Sequence, residues 1–254
     1  MATVISVTNQ KGGVGKTTTA VNIAYYLAKK GHRTLLVDFD PQGNATSGLG
    51  IDKQSLDATM TEVILETKTM AEIIIETDHK NLFLAPATSH LANTEVELAQ
   101  AGRRFTRLRN AIENAPKFDF VIIDSPPSLS LLTVNGLIAA RYVLLPVQAE
   151  FYALEGLGQL LETMKLVRKN MNPTLDLLGV LPTMVDGRTT LSGQVHEEIK
   201  KHFPGKVFKN TIPRNIRLAE APSHGLPVGA YDKFSKGARA YKAVTKEVLE
   251  RVGE

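Results

Sequence analysis

Cysteine is missing from all 254 residues, which excludes disulfides, iron–sulfur clusters and thiolate zinc sites. No run approaches ~18 consecutive apolar residues, so no membrane-spanning helix is expected. The first residues enter a β-branched stretch, Val4-Ile5-Ser6-Val7, at once, leaving no room for a signal peptide, and a cytoplasmic location is expected. The six histidines are scattered without His-Glu-x-x-His spacing, and no Ser-His-Asp order or carboxylate pair marks another catalytic site. Ser/Gly linkers, repeats and low-complexity tracts are absent as well. The length suffices for a full core, and one domain over 1–254 accounts for the chain.

Net charge is also small, +4, but unevenly placed. Asp186 to Glu254 holds 13 Lys+Arg against 8 Asp+Glu, whereas the preceding residues hold 17 against 18. A bias of this size suits either a solvated face or a nucleic-acid surface. No helix-turn-helix or base-reading motif is present, so any DNA contact is expected through phosphates and indifferent to sequence.

What the chain does have is a glycine loop. Thr8-Asn9-Gln10-Lys11-Gly12-Gly13-Val14-Gly15-Lys16-Thr17-Thr18 follows the first strand and opens a segment with helical spacing at Ala20, Ile23, Ala24 and Leu27. Strand, glycine turn and helix start are the context of a phosphate-binding loop. The glycines let backbone N–H groups turn toward an anion, and the helix N-terminus adds partial positive charge. Lys16 is placed to reach the β/γ-phosphates and the Thr17 hydroxyl to ligate Mg²⁺. Gln10 stands where the generic G-x-x-x-x-G-K-T motif has its first glycine, and Lys11 follows it. Two lysines beside one anion site make sense around a polyphosphate.

Three apolar strands frame this loop. Arg33 to Asp38 delivers Asp38-Phe39-Asp40-Pro41-Gln42-Gly43-Asn44 to a strand's carboxyl edge, where ligands bind in open α/β sheets. Asp40 is either a turn-former or helix cap, or the carboxylate that positions the attacking water and senses the γ-phosphate, with Gln42 as a helper. Phe118 to Asp124 is apolar until its terminal acid, the Walker B pattern, and places Asp124 near Mg²⁺ with Thr17. Further strands are expected at Asn81–Ala85, Tyr142–Val147, Leu175–Met184 and Val207–Ile212. Helices are expected to Lys30, across Ile51–Glu76, over Thr94–Asn114 with its arginine run, and over Tyr152–Asn170 and Leu191–Phe203. About seven strands alternating with helices give an α/β fold, a doubly wound, mostly parallel sheet.

Lys11-Gly12-Gly13-Val14-Gly15-Lys16-Thr17 resembles the deviant Walker A box of the ParA/Soj/MinD ATPases, a branch of the P-loop fold. The resemblance extends to Glu150-Phe151-Tyr152-Ala153-Leu154-Glu155-Gly156 and to Ile212-Pro213-Arg214-Asn215 through Ser223, and favours the short, chromosomal Soj form. The nitrogenase iron protein shares the loop but needs thiolates that this chain lacks. The resemblance implies ATP/ADP and Mg²⁺ as cofactors, with Lys11, Gly12, Gly13, Val14, Gly15, Lys16, Thr17 and Thr18 around the phosphates. It implies that Lys11 reaches the nucleotide of a partner subunit, that Lys11, Lys16 and Asp40 carry hydrolysis, and that Asp40 joins Thr17 and Asp124 near the metal. Met184, Asn210, Pro213, Arg214 and Asn215 are expected to wall the adenine.

Arg188 and Arg217 match DNA-contacting arginines of Soj-like proteins, with Lys233 and Lys236 in a further basic loop; read alone, all four are ordinary surface cations. The implied partners are a second copy of the chain bound through ATP, non-specific double-stranded DNA on the nucleoid, and a ParB-like activator. No glutamate base is evident, so slow intrinsic turnover is expected. A MinD-type membrane-cycling ATPase would need a terminal amphipathic basic helix, and Tyr241 to Val252 is short and mixed in charge, so no stable membrane association is expected. Positioning of a non-DNA cargo stays open, since relatives of this architecture also move other cargoes. A P-loop small-molecule ligase would need a substrate-specific acid or lysine cluster that is not evident.

Overall fold

Five consecutive residues are buried at Thr34–Asp38 and again at Phe120–Asp124, as strands covered on both faces must be. The computed structural model describes residues 2–149, 157–186 and 190–254. In chain order it runs β1 (Thr3–Val7), α1 (Lys16–Lys29), β2 (Thr34–Asp38), α2 (Asn44–Gly48), α3 (Met60–Ile64), α4 (Met70–Ile73), β3 (Ile75–Glu76) and β4 (Leu82–Ala85). There follow α5 (His90–Gln100), α6 (Arg107–Glu113), β5 (Phe120–Asp124), α7 (Leu131–Ala139), β6 (Tyr142–Gln148), α8 (Leu157–Asn170) and β7 (Asp176–Thr183). The last quarter holds α9 (Thr190–His202), α10 (Ile216–Glu220), α11 (Val228–Tyr231) and α12 (Lys236–Val252).

The seven strands form one sheet in the order β3-β4-β2-β5-β1-β6-β7, parallel except for the two-residue edge strand β3. Period-2 alternation sends Val4, Leu35, Val37, Val121 and Ile123 into the core on one face. Ile5, Leu36, Ile122 and Leu144 enter the other, beneath α1 and α12. Both faces are therefore covered, the doubly wound arrangement expected from the sequence. α12 lays Tyr241, Val244 and Val248 into that second core, and the Tyr241 hydroxyl meets Thr19 Oγ1 at 3.0 Å.

Three stretches depart from the sequence reading. The expected strand Val207–Ile212 makes only isolated bridges, Val180 with Val207 and Val185 with Pro213. The amides of Lys209 and Asn210 turn away to the Glu247 carboxylate of α12, at 2.9 and 3.0 Å. The seventh strand is β3, too short for a periodic signal. The expected helix Thr94–Asn114 is two helices, parted at Gly102 and at Arg103 with its φ of 55°. Arg104 and Arg107 of the arginine run donate to the carbonyls of Ala99 and Gly102, so they cap this break. Ile51–Glu76 divides into α3 and α4 because Thr59/Glu62 and Thr69/Glu72 each form a capping box, restarting the helix.

Candidate functional site

β1, β2, β5 and β7 run parallel and end at one sheet edge. After β1 the chain bends into the glycine loop. Gly13 and Gly15 sit at φ 73° and 88°, in the left-handed region that glycine enters without a Cβ clash. Nothing lies within 4 Å of where a Cβ would stand on Gly12, Gly13 or Gly15, so the loop faces open space. Its base is pinned: Asn9 Nδ2 donates to Pro146 O at 2.7 Å while Asn9 Oδ1 accepts from Lys11 N at 3.0 Å. On the other side Thr183 Oγ1, at the end of β7, donates to Val14 O at 2.8 Å. The sequence reading gave no role to Asn9, whose place between β1 and the glycine loop was the available signal, and expected Thr183 only in the strip walling the base.

Lys16 opens α1 and is buried, its ammonium donating to Lys11 O at 3.0 Å. Burial lowers its pKa, and the charges of Asp124 and Asp40 oppose that. The strand register sets Asp38 of β2 directly beside Asp124 of β5, and Asp40 follows two residues on. Asp124 and Asp40 thus both act on the Lys16 ammonium, while Asp38 lies beside Asp124. Asp38 is fully buried, and burial pushes its pKa up to about 7 although two bonds from Thr46 work against it. Asp124 is raised well above the usual carboxylate range, first by burial and then by Asp38; the Thr17 hydroxyl nearby offsets part of this. Neither Asp124 oxygen has a hydrogen-bond partner of good geometry. A buried carboxylate held without donors beside two others is costly unless a cation completes the site.

The residues therefore fit a nucleotide with its magnesium. The glycine cradle and Lys16 suit phosphates, and the unsatisfied Asp124 with the Thr17 hydroxyl suits a hard cation. Among the described residues no three His, Asp or Glu side chains gather closely enough to hold a metal unaided. That accords with Mg²⁺, which keeps waters and takes substrate oxygens. Asp38 was not singled out from sequence; its signal was the doubled acid in Asp38-Phe39-Asp40.

Two of the strips expected to wall the base lie side by side. Met184, at φ 52°, turns the chain so that Val185 N donates to Ile212 O at 3.0 Å and Arg214 N to Val185 O at 3.2 Å. Met184, Pro213 and Arg214 are thereby brought onto facing strips beside the loop. Asn215 stands next, its side-chain oxygen buried without a partner. Asn210 instead gives its side-chain amide to Glu247 Oε2 at 2.8 Å, tying the strip to α12.

Of the basic residues, Arg188 lies outside the described residues, as does the block Glu150–Gly156. Arg217, Lys233 and Lys236 are exposed, and Arg217 Nε lies 3.5 Å from Asp232, the residue before Lys233. Arg217 also donates to Glu220 Oε2 at 2.7 Å, so two carboxylates screen its charge. Ile216 and Phe234 are the large exposed apolar side chains of this region, and the Lys233 ammonium lies over the Phe234 ring.

Residues 2–177 match the family described as AAA domain. The chain is 52% identical over 98% of both chains to the sporulation initiation inhibitor protein Soj of Bacillus subtilis. It is 50% identical to the chromosome-partitioning ATPase Soj of Thermus thermophilus, covering 98% of this chain and 96% of that one. Among solved structures it resembles the cobyrinic acid a,c-diamide synthase of Mycobacterium smegmatis with bound ADP and magnesium, at a TM-score of 0.88 and 39% identity, over 100% of this chain and 96% of the other. The likeness runs over nearly the full length of both Soj relatives, and the chain belongs to the Soj/ParA family of P-loop partition ATPases.

Proposed function

We propose that this chain is an ATP-hydrolysing switch that dimerises around ATP, binds double-stranded DNA without sequence preference, and segregates DNA with a ParB-like activator. The observation that carries the reading is the open glycine loop with the buried Lys16 ammonium bonded to Lys11 O and Asp124 buried and unsatisfied nearby. Thr17 and Asp124 would hold Mg²⁺, which would supply positive charge to offset the charge of the phosphates. Lys16 and the loop amides orient the triphosphate, Lys11 extends to the nucleotide of a second copy, and Asp40 orients the attacking water. Met184, Pro213, Arg214 and Asn215 flank the adenine. Family membership and the partition names of the sequence relatives support this reading.

Dimerisation would double the face carrying Arg217, Lys233 and Lys236. Affinity then rises steeply, because each neutralised phosphate adds a salt slope of about −0.9. The MinD-type alternative is less well supported, since α12 spends its apolar side on the core. The decisive test is DNA binding with ATP against ADP over a salt series, beside vesicle sedimentation. Tight, salt-sensitive binding to unrelated DNA sequences with ATP only is expected. Equal affinity in both nucleotide states, ATP-dependent pelleting with anionic vesicles, or turnover that requires an amide donor and a carboxylate acceptor would replace the reading.

A further inference from the structure

The segment carrying Asp40 has little to hold it by itself. α2 has five residues, and its N-cap is Gly43, which has no side chain to bond the first helical amides. A helix this short is unstable in isolation. The missing cap comes from another element: Asp38 Oδ2, at the end of β2, accepts from Thr46 N at 2.8 Å and from Thr46 Oγ1 at 2.7 Å. Thr46 N is the third amide of the helix, the one an N-cap side chain ordinarily satisfies. The same Thr46 hydroxyl accepts from Ala87 N, beyond β4, at 3.0 Å. One fully buried hydroxyl therefore joins β2, α2 and the segment after β4. A second contact sets the spacing there, since a Cβ on Gly43 would come 2.5 Å from Ala87 O. Between these anchors Asp40 is constrained, its carboxylate accepting from Gln42 N at 2.9 Å and its carbonyl from Gly43 N at 2.9 Å.

We propose that Thr46 is a positioning residue for ATP hydrolysis, its hydroxyl fixing the Asp40 loop by bridging Asp38 and the Ala87 amide. The inference rests on the reading above that Asp40 acts in hydrolysis. Thr46 makes none of its bonds through the glycine loop, so its loss should spare nucleotide capture by Lys16 and slow turnover. A displacement of about 1 Å at a group that orients a nucleophile costs up to ~100-fold in rate.

The test compares Thr46→Val, which keeps shape but loses the hydroxyl, with Thr46→Ser, which keeps the hydroxyl, and with Asp40→Ala. Steady-state hydrolysis of Mg·ATP gives kcat and KM, fluorescent ATP titration gives affinity, and hydrogen–deuterium exchange of the nucleotide-free protein reports amides 44–49. For T46V the expectation is a kcat loss of at least about tenfold with KM and affinity within about twofold, and faster exchange in 44–49. T46S should restore turnover and protection to within about twofold of the parent. Thr46→Ala, which also lacks the hydroxyl, takes the place of T46V if valine is not accommodated. A T46V protein with parental kcat, a T46S protein as slow as T46V, or a loss confined to KM overturns the inference while Asp40 keeps its role. Undiminished turnover by D40A overturns the reading of Asp40 itself.

Discussion

Replacing Asp124 by Asn should make the nucleotide-free protein more stable while removing its response to magnesium. Asp124 is fully buried, both its oxygens lack partners, and it stands beside Asp38 in register. A buried polar group left unsatisfied costs about 1–3 kcal/mol. An amide at the same place carries no charge and can donate to the neighbouring carboxylates. It also relieves Asp38, and Lys16 retains Asp40 as a counter-charge.

The sign with pH is fixed by the direction of these shifts. A carboxyl that holds its proton more tightly folded than unfolded destabilises the fold as pH rises above its unfolded value. For Asp38 that loss runs from its ordinary 3.8 to about 7 and is then complete, on the order of 4 kcal/mol at most. Asp124, raised by the same burial, adds a loss of the same sign. The predicted gain from D124N at pH 8 in chelator is about 2 kcal/mol, or roughly 4–8 °C in melting temperature for a chain of this size. The gap should shrink at pH 5, where the carboxyls bind protons. Adding Mg·ATP should raise the melting temperature of the parent protein, by preferential binding to the folded state, and leave D124N nearly unmoved. Differential scanning fluorimetry at pH 5 and 8 provides the measurement. A lower melting temperature for nucleotide-free D124N at pH 8, or a gap that does not change with pH, would refute the account of a strained carboxylate cluster.

Lys11→Ala should still bind ATP through Lys16 and the loop amides yet stay monomeric by light scattering; an ATP-dependent dimer of this variant would remove Lys11 from the interface. Gly225→Ala should destabilise the fold by about 2 kcal/mol or more, since Gly225 has φ 66° and its Cβ would stand 2.6 Å from Gly50 Cα. Urea unfolding checks this, and a parental midpoint would show that the backbones part freely. Lys233→Ala and Lys236→Ala should each weaken DNA binding evenly across sequences and reduce the salt slope by about 1. Unchanged slopes would place the DNA elsewhere on the surface.

Local chemistry carried what was legible in the sequence. Three glycines between a strand and a helix reach left-handed conformations that other residues avoid, and with Lys16 and Thr17 following they mark a phosphate loop; the acids ending β2 and β5 could be read from their apolar runs. Burial on both sheet faces made those runs continuous, so the fold class and the central strands followed from the apolar runs. Only the tertiary structure decided which acids meet. Parallel register set Asp38 against Asp124 and left Asp124 without donors, and no spacing along the chain encodes that neighbour. It also decided that Val207–Ile212 loses its ladder, because Glu247, 37 residues beyond Asn210, competes for its amides. The same holds for α2, which the local sequence caps with a glycine and the fold caps with Asp38. Hydrogen bonds within one turn are written in consecutive residues, whereas those between strands and helices depend on which surfaces the core brings together.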